Sequence, residues 1–98
     1  MFVQIIEYET DRADEMAATM DRRMAEAQQS GQEMPGRMLV TRDRDNPRRF
    51  MLIVEFPSYE EAMVVSKRPE TDEMAKLMSS MVSSGPVYHN LDVVETRI

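Results

Sequence analysis

An α+β fold of ferredoxin-like type, with elements in the order β-α-β-β-α-β, is predicted for this chain of 98 residues by three observations. Four short segments rich in β-branched and aromatic residues alternate with two amphipathic helical segments. The first and third of those strands are apolar on both faces, whereas an antiparallel sheet with one wet face alternates apolar and polar residues. Two helices can cover one face only, so the other face needs a partner, and a homodimer formed through the antiparallel sheet is expected. The length matches one domain spanning 1–98.

The first strand is Phe2 to Tyr8, with Phe2 and Ile6 on one face and Val3 and Ile5 on the other. Thr10 and Asp11 can cap a helix, in which Ala13, Met16, Ala17, Met20, Met24 and Ala27 recur at helical spacing opposite charged residues. Gln28 to Gly36 is polar, contains Gly31, Gly36 and Pro35, and breaks the helical period, which makes it a connection.

Met38 to Thr41 and Phe50 to Phe56 are the next two strands, joined through the turn-forming residues Asp45, Asn46 and Pro47. In the third strand Phe50, Leu52, Val54 and Phe56 share one face, and Met51 and Ile53 the other as far as Glu55. Ser58 and Glu61 fit a capping box that starts the second helix near Tyr59. Pro69 offers no backbone donor and disfavours helix just before it, so a break across Ser66 to Arg68 and a restart at Pro69 are predicted. Met74, Leu77, Met78 and Met81 form the buried stripe of the restarted helix. Ser83, Ser84, Gly85 and Pro86 end it, and Val87 to Thr96 reads as the fourth strand.

The net charge of −6 argues against nucleic-acid and anionic-membrane partners, which are bound through concentrated Lys and Arg. Absence of cysteine removes disulfides, thiolate nucleophiles and Cys-based metal sites. The opening FVQIIEYE lacks a basic n-region and a cleavage site, and no apolar run approaches membrane-spanning length, so a soluble cytoplasmic protein is expected.

The stretch VEFPSYEEAM, Val54 to Met63, places an acidic residue, an aromatic and a capped helix in close succession. It resembles the strand-to-helix junction of the antibiotic-biosynthesis monooxygenase-like family, and SKRPETDEMAKLM, Ser66 to Met78, resembles the kinked helix that follows. The likeness extends over nearly the whole chain. It implies a dimeric α/β barrel with a cavity in each subunit between sheet and helices. Some members of that family oxidise aromatic, polyketide-like substrates without metal or flavin; others in the superfamily degrade haem, oxidise quinols or have no known activity. In the cofactor-free reaction a bound phenolic substrate loses a proton and its carbanion reduces O₂, so the protein supplies shape, hydrogen bonds and proton transfer. Haem-degrading relatives pair a helical histidine with tryptophan and asparagine. This chain has no tryptophan, and Ser66 stands where that histidine aligns, so neither haem nor any other cofactor or metal is expected.

His89 is the one histidine and the first candidate for a proton acceptor. It shares a strand face with Val87, Leu91 and Val93, while Tyr88, Asn90 and Asp92 point the other way, so His89 and Asn90 do not face the same cavity. A packed or hydrogen-bonded place at the sheet or dimer interface is the structural alternative for His89. Tyr59, Phe56, Met63, Ser66 and Asn90 are the further candidates for a ligand pocket, each with a core or surface role as its alternative. Eleven methionines are explained by soft core packing or by a pliable apolar pocket. Arg42, Arg44, Arg48 and Arg49, around the hairpin turn, read as a solvated charged loop interleaved with Asp43 and Asp45. Nucleophile-elbow, phosphate-loop and zinc motifs are absent from the sequence.

Three function classes fit these residues: a cofactor-independent oxygenase acting on a small aromatic or polyketide-like molecule, a non-catalytic binder of a small apolar ligand, and a structural dimerisation module.

Overall fold

Side-chain alternation in the strands and the 3.6-residue period of the helices together build a two-layer α+β unit. The computed structural model describes residues 1–32 and 36–98, so the Glu33, Met34 and Pro35 part of the expected connection lies outside the described residues. The elements are β1 (Phe2–Glu9), α1 (Ala13–Gln29), β2 (Met38–Arg42), β3 (Arg49–Phe56), α2 (Tyr59–Ser66), α3 (Pro69–Ser79) and β4 (Ser84–Asp92). The strands form one antiparallel sheet in the order β2-β3-β1-β4. This is the predicted ferredoxin-like order, with the second helix divided at Pro69 as its backbone chemistry requires.

The strand register puts each side chain on a definite face. Phe2, Gln4, Ile6 and Tyr8 of β1 lie beside Phe56, Val54, Leu52 and Phe50 of β3, and all three helices pack on this face. The core there has two clusters. Phe2, Val54 and Phe56 meet Ala62 and Val65 of α2; Tyr8 and Phe50 meet Met16 of α1 and Met81, just past α3. Leu52 packs against both clusters. Tyr8 and Phe50 stack with ring centroids 5.7 Å apart, and Phe2 meets Tyr59 edge-on at 5.3 Å.

Several local details depart from the expected ones. Thr10 does not cap α1 from outside; it is buried, its hydroxyl donating to the Met81 carbonyl at 2.7 Å and accepting from the Arg12 N–H at 2.9 Å. That pair ties the β1 end to the α3 end. α1 runs on to Gln29, past the predicted boundary at Gln28, and Met24 is exposed rather than part of a buried stripe. β4 starts at Ser84, earlier than Val87, and stops at Asp92, earlier than Thr96. It stops there because Asp92 is already opposite Phe2, and only one further bond, Val93 N–H to the Met1 carbonyl at 3.0 Å, remains to be made. At its start the register shifts between Glu7 and Glu9, and Gly85 sits at φ +90° with its α-carbon against β1. A Cβ at Gly85 would lie 2.7 Å from the Glu7 carbonyl oxygen, so glycine is required twice over, by torsion and by space.

The reverse face of the sheet carries lateral rows. Leu39, Ile53, Ile5 and His89 follow one another across β2, β3, β1 and β4; Thr41, Met51, Glu7 and Val87 form the next row. Leu39, Val87 and Leu91 are exposed here, and among the described residues no helix packs on this face.

Candidate functional site

The helix-side face encloses a cavity of about 650 Å³ between the two core clusters, within the size range of small-molecule sites. Its floor is the sheet: Phe2, Gln4, Ile6 and Tyr8 of β1, Leu52, Val54 and Phe56 of β3, Met38 of β2, and Tyr88 of β4. Its roof comes from Met16, Met20 and Ala27 of α1, Met63 and Ser66 of α2, and Met74 and Met78 of α3. The elbow between α2 and α3 helps make the space. The helix breaks at Pro69, and Ser66, Arg68 and Thr71 on either side of the break line the cavity. The lining is predominantly apolar. Polar groups gather at the rim, where Arg23 and Glu26 of α1 stand 3.9 Å apart, and at a few points of the floor.

Of the three floor side chains with polar atoms, Tyr88 is exposed, and Tyr8 and Gln4 are the more buried. Tyr8 is buried as a residue and lines the cavity; no fully buried side-chain oxygen among the described residues lacks a partner, so its hydroxyl, which makes no hydrogen bond to them, is accessible rather than sealed. Burial pushes its pKa above the usual phenol value, so the group stays a neutral hydrogen-bond donor rather than a base. Gln4 donates from Nε2 to Oδ1 of Asn90 at 3.0 Å, which orients its amide and keeps its carbonyl oxygen for another partner.

The candidates named from sequence are divided by the sheet. Phe56, Met63 and Ser66 line the cavity. Ser66 spends its hydroxyl on its own helix, donating to the Met63 carbonyl at 3.0 Å. Asn90 is on the cavity side of β4 but is not among the lining residues; it reaches the cavity through Gln4. Tyr59 is exposed and covers the outer edge of Phe2 instead of lining the space. His89, the expected proton acceptor, lies on the reverse face, because β4 alternates and Tyr88 takes the cavity side. The floor residues Gln4, Tyr8 and Tyr88 were not singled out from sequence; the signal that could have found Gln4 is a polar residue alternating with Phe2 and Ile6 on a core-facing strand face.

His89 has a defined environment on that reverse face. Its Nε2 stands 3.2 Å from Oε2 of Glu7, and the same carboxylate is held by the Arg49 guanidinium, itself 3.7 Å from Asp43. The hydrogen bond from His89 and then that from Arg49 hold the Glu7 carboxyl below the ordinary carboxylate value. A depressed carboxyl contributes stability that is present above its unfolded-state pKa and is lost as pH falls through the folded value. The parent protein should therefore lose melting temperature more steeply than Glu7→Gln as pH falls from 6 to about 3, on the scale over which an Asp or Glu titrates. Parallel slopes in scanning calorimetry would show that the cluster adds no acid-sensitive stability. The hairpin arginines behave as a charged surface: Arg48 pairs with Asp11 at 2.7 Å and Arg49 with Glu7 and Asp43.

Among the described residues no group of three or more His, Cys, Asp or Glu side chains is placed to hold a metal ion, and no helix is long and apolar enough to cross a membrane.

No protein-family model and no curated protein sequence matches the chain. Solved structures do. SnoaB, a cofactor-independent oxygenase from Streptomyces nogalater, solved in a mutant form, superposes with a TM-score of 0.78 at 13% identity, covering 97% of this chain and 94% of its own. A candidate antibiotic biosynthesis monooxygenase from Deinococcus radiodurans gives 0.74 at 15% identity, covering 100% of this chain and 97% of its own. A conserved protein from Methanosarcina mazei gives 0.75 at 11% identity, covering 92% and 89%. At these identities the likeness is one of fold, carried by backbone and core pattern.

Proposed function

We propose that this chain, which has the fold of the antibiotic biosynthesis monooxygenases, binds a small aromatic or polyketide-like molecule in its helix-side cavity and oxidises it with O₂ without a cofactor. The observation that carries the reading is the cavity itself: apolar walls around a neutral Tyr8 phenol and an oriented Gln4 amide, in the fold that SnoaB also has. Apolar walls hold a flat substrate, and the two polar floor groups orient an oxygen substituent. Tyr8 donates to a carbonyl or phenolate oxygen and so favours the deprotonated, electron-rich form; Gln4 accepts from a hydroxyl. With His89 on the far side of the sheet, the rim carboxylates Glu26, Glu70 and Asp72 are the lining groups able to accept the proton, directly or through water. The resulting carbanion reduces O₂. For an anthrone the balance is a methylene carbon and O₂ giving a ketone carbon and water.

The test is O₂ uptake with an anthrone probe, read against quinone formation. Protein-dependent uptake matched by quinone supports the oxygenase; saturable binding of the probe with no uptake above the buffer rate supports the binder. That second reading is favoured by the methionine-rich roof, which suits a pliable binding wall as well as a reaction chamber. Tyr8→Phe separates the floor's role from packing. Affinity for a hydroxylated or carbonyl-bearing aromatic should fall about fivefold, the equivalent of ~1 kcal/mol for one neutral hydrogen bond. Affinity for the unsubstituted hydrocarbon should hold, and equal loss for both ligands would remove the hydroxyl from the site.

The partner that fits the reverse face is a second copy of the chain. Leu39, Ile53, Ile5, Val87 and Leu91 make that face apolar, and a two-fold axis lets each copy's apolar rows cover the other's. In such a homodimer His89, held by Glu7, is an interface residue.

A further inference from the structure

We infer that the cavity roof is an oxidisable site: hydrogen peroxide converts its methionines to sulfoxides and thereby closes the cavity to apolar ligands. The inference rests on the cavity being a binding site, as proposed above. Met16, Met20, Met63, Met74 and Met78 of the roof and Met38 of the floor reach the same space from four elements, α1, α2, α3 and β2. Thioethers are the readily oxidised groups of this chain, which has neither cysteine nor tryptophan. All but Met16 are half-buried rather than sealed, and the lining residues Glu26, Ser66, Glu70 and Asp72 are exposed, so the cavity meets solvent and a small polar oxidant can enter.

The chemistry is an oxygen transfer. The sulfur lone pair attacks one peroxide oxygen, the O–O bond breaks, sulfur is oxidised by two electrons, and the other oxygen leaves as water. Each event replaces a flexible apolar group by a strong, chiral dipole. Phe2, Ile6, Leu52, Val54 and Phe56 of the opposite wall offer no hydrogen-bond donor, and the floor donors Gln4, Tyr8 and Tyr88 are too few to satisfy six sulfoxides. The new dipoles therefore hold water in the cavity, and an apolar ligand must displace it without replacing its hydrogen bonds. Because the change is reversible by sulfoxide reductases, one for each epimer, it can act as a switch.

The test uses the whole chain and the neutral fluorophore N-phenyl-1-naphthylamine as probe. Peroxide oxidation is followed at each methionine by peptide mass spectrometry, with and without probe, and probe affinity is titrated before and after. Probe should slow oxidation at Met63, Met74 and Met78 at least threefold and leave exposed Met24 unchanged. Oxidised protein should bind at least tenfold more weakly with its far-UV circular dichroism intact, and a pair of sulfoxide reductases should restore the affinity. In M74L/M78L, peroxide should cost less affinity relative to that variant's own untreated value. Undiminished probe binding after oxidation, no protection by probe, an equal proportional loss in M74L/M78L, or loss of binding that coincides with loss of helix would each overturn the inference. If untreated protein binds no probe, the cavity reading falls and takes this inference with it; if it binds but oxidation has no effect, only the oxidation switch falls.

Discussion

Ile53→Lys is expected to sediment as a monomer under conditions in which the parent chain sediments as a dimer. Ile53 lies between Leu39 and Ile5 in a lateral row of the reverse face, so a charge there meets the centre of the proposed interface. Desolvating one buried ammonium costs several kcal/mol, and a two-fold interface contains the substitution twice. A dissociation constant raised at least a thousandfold, about 4 kcal/mol, follows. The subunit itself should keep its fold, since no helix packs against Ile53 among the described residues and a lysine there is solvated in the free monomer. Analytical ultracentrifugation across a concentration series, with circular dichroism alongside, reads both halves. A dimer that survives the substitution would place the interface elsewhere and leave the reverse face without its proposed partner.

The second large effect belongs to the other face. Phe50→Ala should lower unfolding free energy by ~3–5 kcal/mol, the cost of removing a buried phenyl ring and leaving its space unfilled. Phe50 stacks on Tyr8 and packs with Met16 and Met81, which makes it the joint between β3, α1 and the end of α3. Total stability for a domain of this size is ~5–15 kcal/mol, so the loss is a large share of the whole. Phe50 does not border the cavity, and the effect should therefore appear in the urea midpoint at unchanged slope. A shift under ~1 kcal/mol, well below the range for phenylalanine truncation, would mean that the second cluster is too loose to count as core. Protein concentration must be held constant in this comparison, because the proposed dimerisation would add to apparent stability.

The two experiments address opposite faces of one sheet, and that division explains how much was legible beforehand. Strand positions, the break before Pro69, the Ser58 cap and the two-sided apolarity of β1 and β3 follow from local rules that hold within a few residues: side-chain alternation, proline chemistry and hydrogen bonding at a helix start. Element order then leaves few topologies, and β2-β3-β1-β4 is the ferredoxin-like one. The ends of β4 were less legible, since they depend on where β1 runs out rather than on any residue in β4 itself.

The site was legible only in part. Phe56, Met63 and Ser66 were placed in the cavity because they lie on a core-facing strand end and on the helix that follows it. His89 was attractive for its chemistry, but alternation alone cannot say which face of β4 meets the helices; the pairing of His89 with Ile5, and of Tyr88 with Ile6, decides that. Gln4 and Tyr8 gain their meaning in the same way, from what β3 and α1 place opposite them. By itself, then, the sequence determined the elements, their order and the two-sided apolarity of β1 and β3, because those depend on periodicity and local backbone chemistry. Only the tertiary structure decided that the methionines, the Tyr8 phenol and the Gln4 amide share one cavity while His89, Glu7 and Arg49 share the opposite face, because that assignment rests on register between strands far apart in the chain.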